Sequence, residues 1–365
     1  PSPATRTPDT TGSRRVIVGG ALLIIFWGVA ARLLGVDHLL FWHDEVYSLA
    51  RVFGNLQEAL HVTIFSDRLL SPAELLSFQR PAACHGWGDT LRALAEHPEH
   101  APLYYVLGRL ASELPVSPTT ALRGLSAIFG VLLIPATYWL MRELVGRGLA
   151  PWVAAALVAC SPLQMLYAEE SRQYALWMLL FVSSSAALAS ALRLDTRPAW
   201  GLYALLMALG AYSHLLFLLS LPIHAAYGLY RRLSRRSPEA APIGTARRWT
   251  ISAGLALLAF TPWLWVLLTG QDLVGEHTAW MQRPVGQETI GQAWAQHLTE
   301  TFVDLHPTPE PAWRLLLLPL GLMVLHAVLR APRAAVWLLG LSALGYVGVA
   351  LVPDLVLGGG RSLQA

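Results

Sequence analysis

The sequence predicts an all-α polytopic membrane protein, a bundle of about nine transmembrane helices with a long first outer loop that carries interfacial helices. The chain of 365 residues is 55% hydrophobic and 13% charged, whereas a soluble domain is usually about 45–50% apolar and about 25% charged. Apolar runs of transmembrane length recur along the chain, and arginines are concentrated in alternate connecting segments. So few charges cannot cover a water-facing surface, which excludes a soluble enzyme.

Apolar length sets the predicted spans, since a helix needs about 20 mostly apolar residues to cross a bilayer. The nine predicted spans are 16–34, 119–141, 149–166, 172–192, 199–212, 215–230, 249–269, 313–329 and 334–352. The fifth and sixth are short and meet at Ser213 and His214. The apolar segment 102–114 is too short to cross, so we expect it to form an interfacial helix in the first outer loop.

Arginine placement predicts the topology, because short cytoplasmic loops hold the excess of basic residues. All 26 basic residues are arginine, and 15 of them lie, with only four of the 23 acidic residues, in segments 1–15, 142–148, 193–198, 231–248 and 330–333. The cytoplasmic tail is therefore predicted as 1–15 and the transmembrane domain as 16–352, with outer loops 35–118 and 270–312. Segment 353–365 is predicted to be a further outer segment with a truncated end. We expect a bacterial inner membrane, with the N-terminus cytoplasmic and the active site periplasmic.

The first candidate site is the acidic pair Asp44 and Glu45, which follows the first predicted span on the outer side. A carboxylate held between aromatic residues at a membrane rim is partly desolvated, which raises its basicity and suits a general base acting on a hydroxyl. The alternative is a solvated loop anchored at the interface by Trp42 and Tyr47. Taken alone, the acidic pair favours the solvated loop.

The second candidate site is the run 96–105, which includes Glu99, His100 and Tyr104. Carboxylates and imidazoles at this density bind divalent cations or anionic head groups. A hydrated acidic loop explains the same residues, because their spacing matches no specific metal-site pattern. Cys84 and Cys160 are the only cysteines, which excludes a zinc site built from cysteine ligands.

The third candidate site is the outer turn between the third and fourth spans, which contains Glu169, Glu170, Arg172 and Tyr174. A guanidinium binds phosphate bidentately and a helix N-terminus adds positive potential, so Arg172 is well placed for a phosphate. Ion pairing between these acids and Arg172 is an equally good explanation, because it makes charges tolerable at the membrane interface.

Two single residues complete the candidates. His214 lies by topology at the same outer rim as Asp44, Glu99 and Arg172, so these residues are candidates for one pocket, and Glu99 with His214 is a candidate cation site. Arg361 follows three glycines whose backbone amides can approach an anion, with a flexible loop as the alternative.

The order of these motifs resembles the GT-C superfamily of integral membrane glycosyltransferases, in particular the protein O-mannosyltransferase and lipid A aminoarabinose transferase branch. The resemblance covers most of the chain. It rests on the pair Asp44-Glu45 in a long outer loop, the stretch Pro102-Leu103-Tyr104-Tyr105 that closes it, segment 121–143, and the turn SPLQMLYAEESRQYAL at 161–176. The chain has His100-Ala101-Pro102 where the family usually has His-Pro-Pro or Lys-Pro-Pro.

The resemblance implies a GT-C-like helix bundle that transfers a sugar, with inversion, from a polyprenyl-phosphate donor to a hydroxyl of a glycan, lipid or protein at the outer face. It implies that Asp44 deprotonates the acceptor, while Arg172, with Arg361 and His100, stabilises the phosphate charge in the transition state. A divalent metal ion is the cofactor this pattern allows, membrane lipid is a partner, and nucleic acid is not expected. The alternatives are a transporter or flippase for a lipid-linked or anionic solute, whose charges usually lie near the bilayer midplane, and a scaffold subunit without chemistry.

Overall fold

The computed structural model describes residues 10–82, 85–234, 244–278 and 312–357. Every regular element within these ranges is a helix. The α-helices, in chain order α1 to α16, are Thr10–Leu34, His43–Val52, Gln57–Ile64, Pro72–Ser77, Trp87–Ala95, Leu103–Ala111, Pro118–Val145, Ala150–Cys160, Pro162–Glu169, Tyr174–Leu194, Arg197–Ala211, Ser220–Leu233, Thr245–Thr269, Gln271–Thr278, Ala312–Arg330 and Arg333–Leu357. A 3-10 helix, Leu215–Leu219, precedes α12.

The prediction of an all-helical protein is confirmed for the described residues, and four of the helices are long and apolar enough to cross a membrane. They are Gly12–Leu34 within α1, α7, α10 and α13, and α8 with α9 makes a fifth if this pair, bent by 56°, is one span. The remaining four predicted spans coincide with α11, α12, α15 and α16. With 15 and 14 residues, α11 and α12 fall short of the usual crossing length, so the count of nine spans stays a prediction.

The break between α8 and α9 has a local cause and a distant partner. Pro162 has no backbone N–H, so the hydrogen-bond ladder of α8 ends there and the last carbonyls of α8 lose their partners. Arg32 of α1 supplies them, donating from Nη1 to the Ala159 oxygen at 2.6 Å and from Nη2 to the Val158 oxygen at 2.9 Å. Gly28 makes this approach possible, because a Cβ there would overlap the Ala159 carbonyl.

The centre of the bundle is α10, which packs against α7 on one side and α11 on the other. Its segment 183–192 is fully buried and consists mainly of serine and alanine, and small residues let helix backbones approach closely in a membrane. At one end of the pair, Arg193 of α10 binds Glu143 of α7 through two hydrogen bonds of 2.8 Å. This end coincides with two predicted cytoplasmic loops, so the opposite end of α10, near Tyr174, carries the outer turn.

The first predicted outer loop, 35–118, forms the short helices α2 to α6. The apolar segment expected at 102–114 is indeed a short helix, α6, with nine residues. Side chain and backbone hydrogen bonds attach these helices to one another and to the bundle, for example Thr90 Oγ1 to the Val52 oxygen at 2.8 Å and the Leu103 N–H to the Tyr212 oxygen at 2.9 Å. The second predicted outer loop begins with α14, and its residues 279–311 lie outside the described ranges.

Candidate functional site

Glu45, the second acid of the pair, is a structural anchor. Its carboxylate is fully buried and accepts hydrogen bonds from Arg123 Nε at 2.8 Å, from Arg123 Nη2 at 2.7 Å and from the Ser171 N–H at 2.8 Å. Burial alone would raise the pKa of Glu45, but these donors hold the pKa below its ordinary value. Glu45 therefore ties the start of α2 to α7 and to the turn before α10, and it has no free oxygen for chemistry.

Asp44, one residue earlier, is by contrast only partly buried. Its side chain is 32% exposed, and its Oδ2 lies 3.3 Å from Arg172 Nη2. The other oxygen, Oδ1, lies 3.3 Å from Nδ1 of His43, whose side chain is 75% exposed. Adjacent positions on a helix point about 100° apart, so the anchoring of Glu45 fixes Asp44 at the edge of the buried cluster. Asp44 is thus a carboxylate that solvent or a substrate can reach beside a buried cation.

Arg172 is held in the turn between α9 and α10. Its side chain is 7% exposed, and its Nη2 lies 3.4 Å from the Tyr174 hydroxyl, with the guanidinium 5.5 Å from the centre of the Tyr174 ring. Its Nε is buried and has no hydrogen-bond partner among the described residues. The neighbouring Gln173 is fixed by the Tyr105 hydroxyl, which donates to Gln173 Oε1 at 3.0 Å. The turn therefore presents a rigid, incompletely paired guanidinium beside Asp44.

A second buried guanidinium, Arg51, belongs to the same cluster. It is 8% exposed, and its Nε and Nη1 are buried without hydrogen-bond partners among the described residues. Asp44, Ser48 and Arg51 are spaced at i, i+4 and i+7 on α2 and so share one helix face. Burial lowers the pKa of Arg51, and electrostatic repulsion from the positive charge of Arg172 lowers it further.

Two histidines beside these arginines are neutral. Burial, together with the charges of Arg51 and Arg172, holds the pKa of His100 well below its ordinary range. Burial, with the charge of Arg172, lowers the pKa of His214 to about 4. The His214 ring stacks on Trp177 at 4.4 Å, and its Nδ1 accepts a hydrogen bond from the Leu216 N–H at 3.2 Å. Burial is therefore the main reason why both imidazoles are unprotonated at neutral pH, and the positive charge of the arginines adds to it.

Glu170 is the most perturbed acid of the outer turn. Its side chain is buried, and burial raises its pKa to about 7, with the negative charge of Glu45 adding to the effect. The neighbouring Glu169 points elsewhere, because one of its oxygens, Oε1, lies 2.8 Å from the place where a Cβ of Gly35 would be, at the end of α1. Only one of the two adjacent acids thus contributes to the electrostatics around Asp44.

A group of metal-ligating side chains lies next to the arginine cluster. His97, Glu99 and His277 offer one ligand atom each, all within 4.8 Å of one another. Nδ1 of His97 and of His277 lie 3.1 and 3.3 Å from Glu99 Oε1, and the two rings stack at 4.3 Å. The sequence paired Glu99 with His214, but the structure brings His97 and His277 to Glu99 instead, because α14 turns back over the first outer loop.

An apolar recess of about 420 Å³ adjoins the cluster between α5, α6 and α13. Pro102 and Leu103, which follow His100 directly, form one wall, and Trp263 forms another. The indole Nε1 of Trp263 is buried without a hydrogen-bond partner among the described residues. The recess therefore offers an apolar surface beside a cationic cluster.

The structure brings together Asp44, Glu99, His100, Glu170, Arg172, Tyr174 and His214 of the predicted site residues. Tyr104 is a correction, because it is completely buried and its hydroxyl is hydrogen-bonded to the Leu122 oxygen at 3.1 Å and to Ser126 Oγ at 2.8 Å, inside the α6–α7 contact. Glu45 and Glu169 are turned away from the cluster by the contacts described above. Arg361 lies outside the described residues.

Sequence reasoning missed Arg51, Arg123 and His277, and it included His97 in the run 96–105 without assigning it a role. Two signals were available in the sequence. Arg51 stands seven residues after Asp44, which is the spacing of a shared helix face. Arg123 stands within the first turns of an apolar span, where an isolated charge needs a partner. No comparable signal links His277 to Glu99, because 178 residues separate them.

No protein-family model, curated protein or solved structure matches this chain. The functional proposal therefore depends on the chemistry of the site and on the motif resemblance.

Proposed function

We propose that the protein is a membrane glycosyltransferase that moves a sugar from a polyprenyl-phosphate donor to an acceptor hydroxyl. The observation that carries the proposal is the pair Asp44 and Arg172: a solvent-accessible carboxylate 3.3 Å from a buried guanidinium whose Nε has no partner among the described residues. A reaction that removes a proton from an acceptor hydroxyl while negative charge grows on a leaving phosphate needs both a base for the proton and a fixed cation for the phosphate.

The step assigns one role to each residue. Asp44 accepts the proton of the acceptor hydroxyl as its oxygen attacks the anomeric carbon from the face opposite the phosphate, which inverts that carbon. The bond between the anomeric carbon and the phosphate oxygen breaks, and its electron pair stays on the phosphate. Arg172 stabilises that charge. A phosphate bound to Arg172 also shares the guanidinium with Asp44, so donor binding weakens the ion pair between Arg172 and Asp44.

The surroundings of the pair suit a lipid-linked anion. The apolar recess lined by Pro102, Leu103 and Trp263 lies beside the cationic cluster, so a carrier can place its phosphate on the arginines and its isoprenoid chain on apolar surface. Neutral His100 and His214 contribute hydrogen-bonding groups without adding charge. The sugar and the acceptor, whether a glycan, lipid or protein, depend on the shape of the remaining pocket.

The fold and orientation belong to the same proposal. We assign a GT-C-like bundle of about nine spans, in which α11, α12, α15 and α16 cross the membrane in addition to the four long apolar helices and the bent α8–α9 pair. The arginine distribution supports a cytoplasmic N-terminus. With that orientation the outer turn at Arg172 and the whole cluster face the periplasm of a bacterial inner membrane.

A divalent metal ion is proposed at His97, Glu99 and His277. Glu99 Oε1 lies 3.1 Å from His97 Nδ1 and 3.3 Å from His277 Nδ1. Two ligand atoms of a tetrahedral zinc ion, each at a bond length of about 2.0–2.1 Å, are about 3.3 Å apart, so both distances match. Two imidazoles and one carboxylate leave a coordination position open. A bound ion would supply positive charge near Arg51 and Arg172 and would tie α14 to the first outer loop.

The test is sugar transfer by the purified full chain, using a panel of C55 polyprenyl-phosphate hexoses and pentoses. Asp44→Asn preserves the shape of the side chain and removes the base, so we expect transfer to fall by about 10²–10⁴-fold with donor binding retained. Asp67→Asn changes an exposed aspartate in the same outer loop and is the matched control, expected to leave transfer unchanged.

Normal transfer by Asp44→Asn would overturn the assignment of the base. In the same preparation, movement of a polyprenyl-phosphate sugar across proteoliposomes without transfer would favour a flippase instead. Loss of expression without any loss of specific turnover would favour a scaffold.

A further inference from the structure

Arg51 is a buried cation without the partners that the other buried arginines have. Arg123 binds a carboxylate bidentately, Arg32 binds three backbone carbonyls, and Arg109 binds the Val52 and His85 oxygens. By contrast, Nε and Nη1 of Arg51 have no hydrogen-bond partner among the described residues although its side chain is 8% exposed. Burying a charge without a partner is strongly unfavourable, so the protein keeps Arg51 there at a cost to its stability.

The position of Arg51 directs it toward the carrier site. It lies two turns after Asp44 on the same face of α2, and long side chains on a helix lean toward its N-terminus. Its electrostatic neighbours are Tyr105, Arg172, Glu99 and Asp44. Two guanidinium groups thus converge beside one accessible carboxylate, and the charge they leave uncompensated calls for an anion.

We propose that Arg51 and Arg172 together hold the phosphate of the lipid carrier, and that Arg51 gives the site its preference for the dianionic phosphate released by the reaction. This inference rests on the proposed function and assigns a binding role to a residue outside the motif resemblance. The cation–π contact with Tyr47, 5.7 Å from the ring centre, orients the guanidinium without using its N–H donors.

The charge change during transfer explains why a second cation is needed. The donor is a phosphate diester with one negative charge. When the acceptor oxygen bonds to the anomeric carbon and the bond from that carbon to the phosphate oxygen breaks, the electron pair stays on the phosphate and the acceptor proton moves to Asp44. The carrier leaves as a monoester with two negative charges. The second charge is already developing in the transition state, so a site with two arginines binds the transition state more strongly than the donor, which is the condition for catalysis.

The experiment measures binding of two probes to the purified full chain at pH 8 by calorimetry or native mass spectrometry: farnesyl monophosphate, a dianion at this pH, and its monomethyl diester, a monoanion. We expect wild type to prefer the monoester at least tenfold. Arg51→Gln is expected to weaken monoester binding at least tenfold, or about 1.4 kcal/mol, and to remove most of the preference. Arg51→Lys keeps the charge and is expected to retain part of it. Arg68→Gln, in an exposed ion pair of the same loop, is the matched control.

The possible outcomes separate the two proposals. If wild type binds neither probe, the glycosyltransferase proposal fails. If wild type binds the monoester and Arg172→Gln abolishes binding while Arg51→Gln does not, the role of Arg51 alone is overturned. Inorganic phosphate is expected to bind at least tenfold more weakly than farnesyl monophosphate. Equal affinity would show that the two arginines bind free phosphate and would overturn the proposal that the ligand is a lipid carrier.

Thermal unfolding distinguishes a ligand site from a structural role. Removing an unpaired buried charge is expected to leave the melting temperature of the ligand-free protein unchanged or to raise it, in both Arg51→Gln and Arg51→Met. A clear fall in both variants would show that Arg51 supports the fold and would overturn the inference.

Discussion

Glu45→Gln is expected to destabilise the protein more than Asp44→Asn does, although the two acids are neighbours. The substitution keeps the size of Glu45 but removes the charge that holds Arg123 at 2.7 and 2.8 Å, in a place where neither side chain is more than 2% exposed. An amide accepts with only one of its two terminal atoms, so one Arg123 contact is lost in either orientation, and the Ser171 contact is lost as well if the nitrogen takes the place of Oε1. Removing one partner of a buried ion pair costs about 3–5 kcal/mol.

The unfolding entropy of globular proteins, about 2.1 cal/mol/K per residue, converts this loss into a fall of about 4–7 °C in the melting temperature of a 365-residue chain. Intrinsic tryptophan fluorescence of the detergent-purified protein during heating measures it. Asp44→Asn is the matched comparison, because Asp44 is 32% exposed and makes a single contact of 3.3 Å with Arg172, so its melting temperature is expected to fall by less than that of Glu45→Gln. Equal shifts in the two variants, or an unchanged melting temperature for Glu45→Gln, would refute the division between an anchoring and a reactive acid.

Three further predictions test other parts of the structure. Burial raises the pKa of Glu170 from its ordinary value of 4.5 to about 7, so the folded protein keeps a proton that the unfolded chain releases, and stability falls as pH rises from about 4.5 to about 7. Glu170→Gln should therefore stabilise the protein by up to about 3 kcal/mol at pH 8 and by much less at pH 5. Glu113→Gln, at an exposed position, is the control and should show no such difference in melting temperature between the two pH values. Arg32→Met removes three hydrogen bonds to carbonyls and should lower unfolding stability by about 2 kcal/mol or more; an unchanged denaturant midpoint would contradict its role at the α8–α9 break. Calorimetric titration of EDTA-treated protein with Zn²⁺ should give one ion per chain, bound about 10–100-fold more weakly in His277→Ala than in wild type or His61→Ala, and equal affinities would remove His277 from the metal proposal.

Local signals in the sequence located the long apolar helices but not the short polar ones. Each of the nine apolar runs falls on helix in the described residues, whereas α2 to α5 and α14 were not located individually. Serine followed by proline begins both α7 and α9. Whether each helix crosses the membrane is a different question. Crossing depends on the length of the segment and on its neighbours, and α11 and α12, with 15 and 14 residues, are too short to decide it by length alone.

The site was harder to predict because its contacts join distant parts of the chain. The pair Asp44-Glu45 was recognisable, yet nothing in the sequence says which acid is buried, since that depends on Arg123 reaching it from 78 residues away. The motif around Tyr104 was likewise found, but the packing of α6 on α7 buries Tyr104 and leaves Tyr105 facing the cluster. Residue type and spacing therefore located the site, and tertiary packing assigned the roles.

In the proposed topology, the charges of the cluster lie at the outer end of the helices, which supports the transferase proposal over transport of a lipid-linked anion. Arg51 and Arg172 lie in the outer loop and the outer turn, and the apolar recess beside them opens between α6 and α13. A phosphate anchored to an isoprenoid chain rests at this depth without leaving the interface, so binding it does not require the large cost of taking an anion into hydrocarbon. The carboxylate of Asp44 is 32% exposed, so in the proposed reaction an acceptor from the aqueous side would meet the carrier where both a base and the cations are already in place.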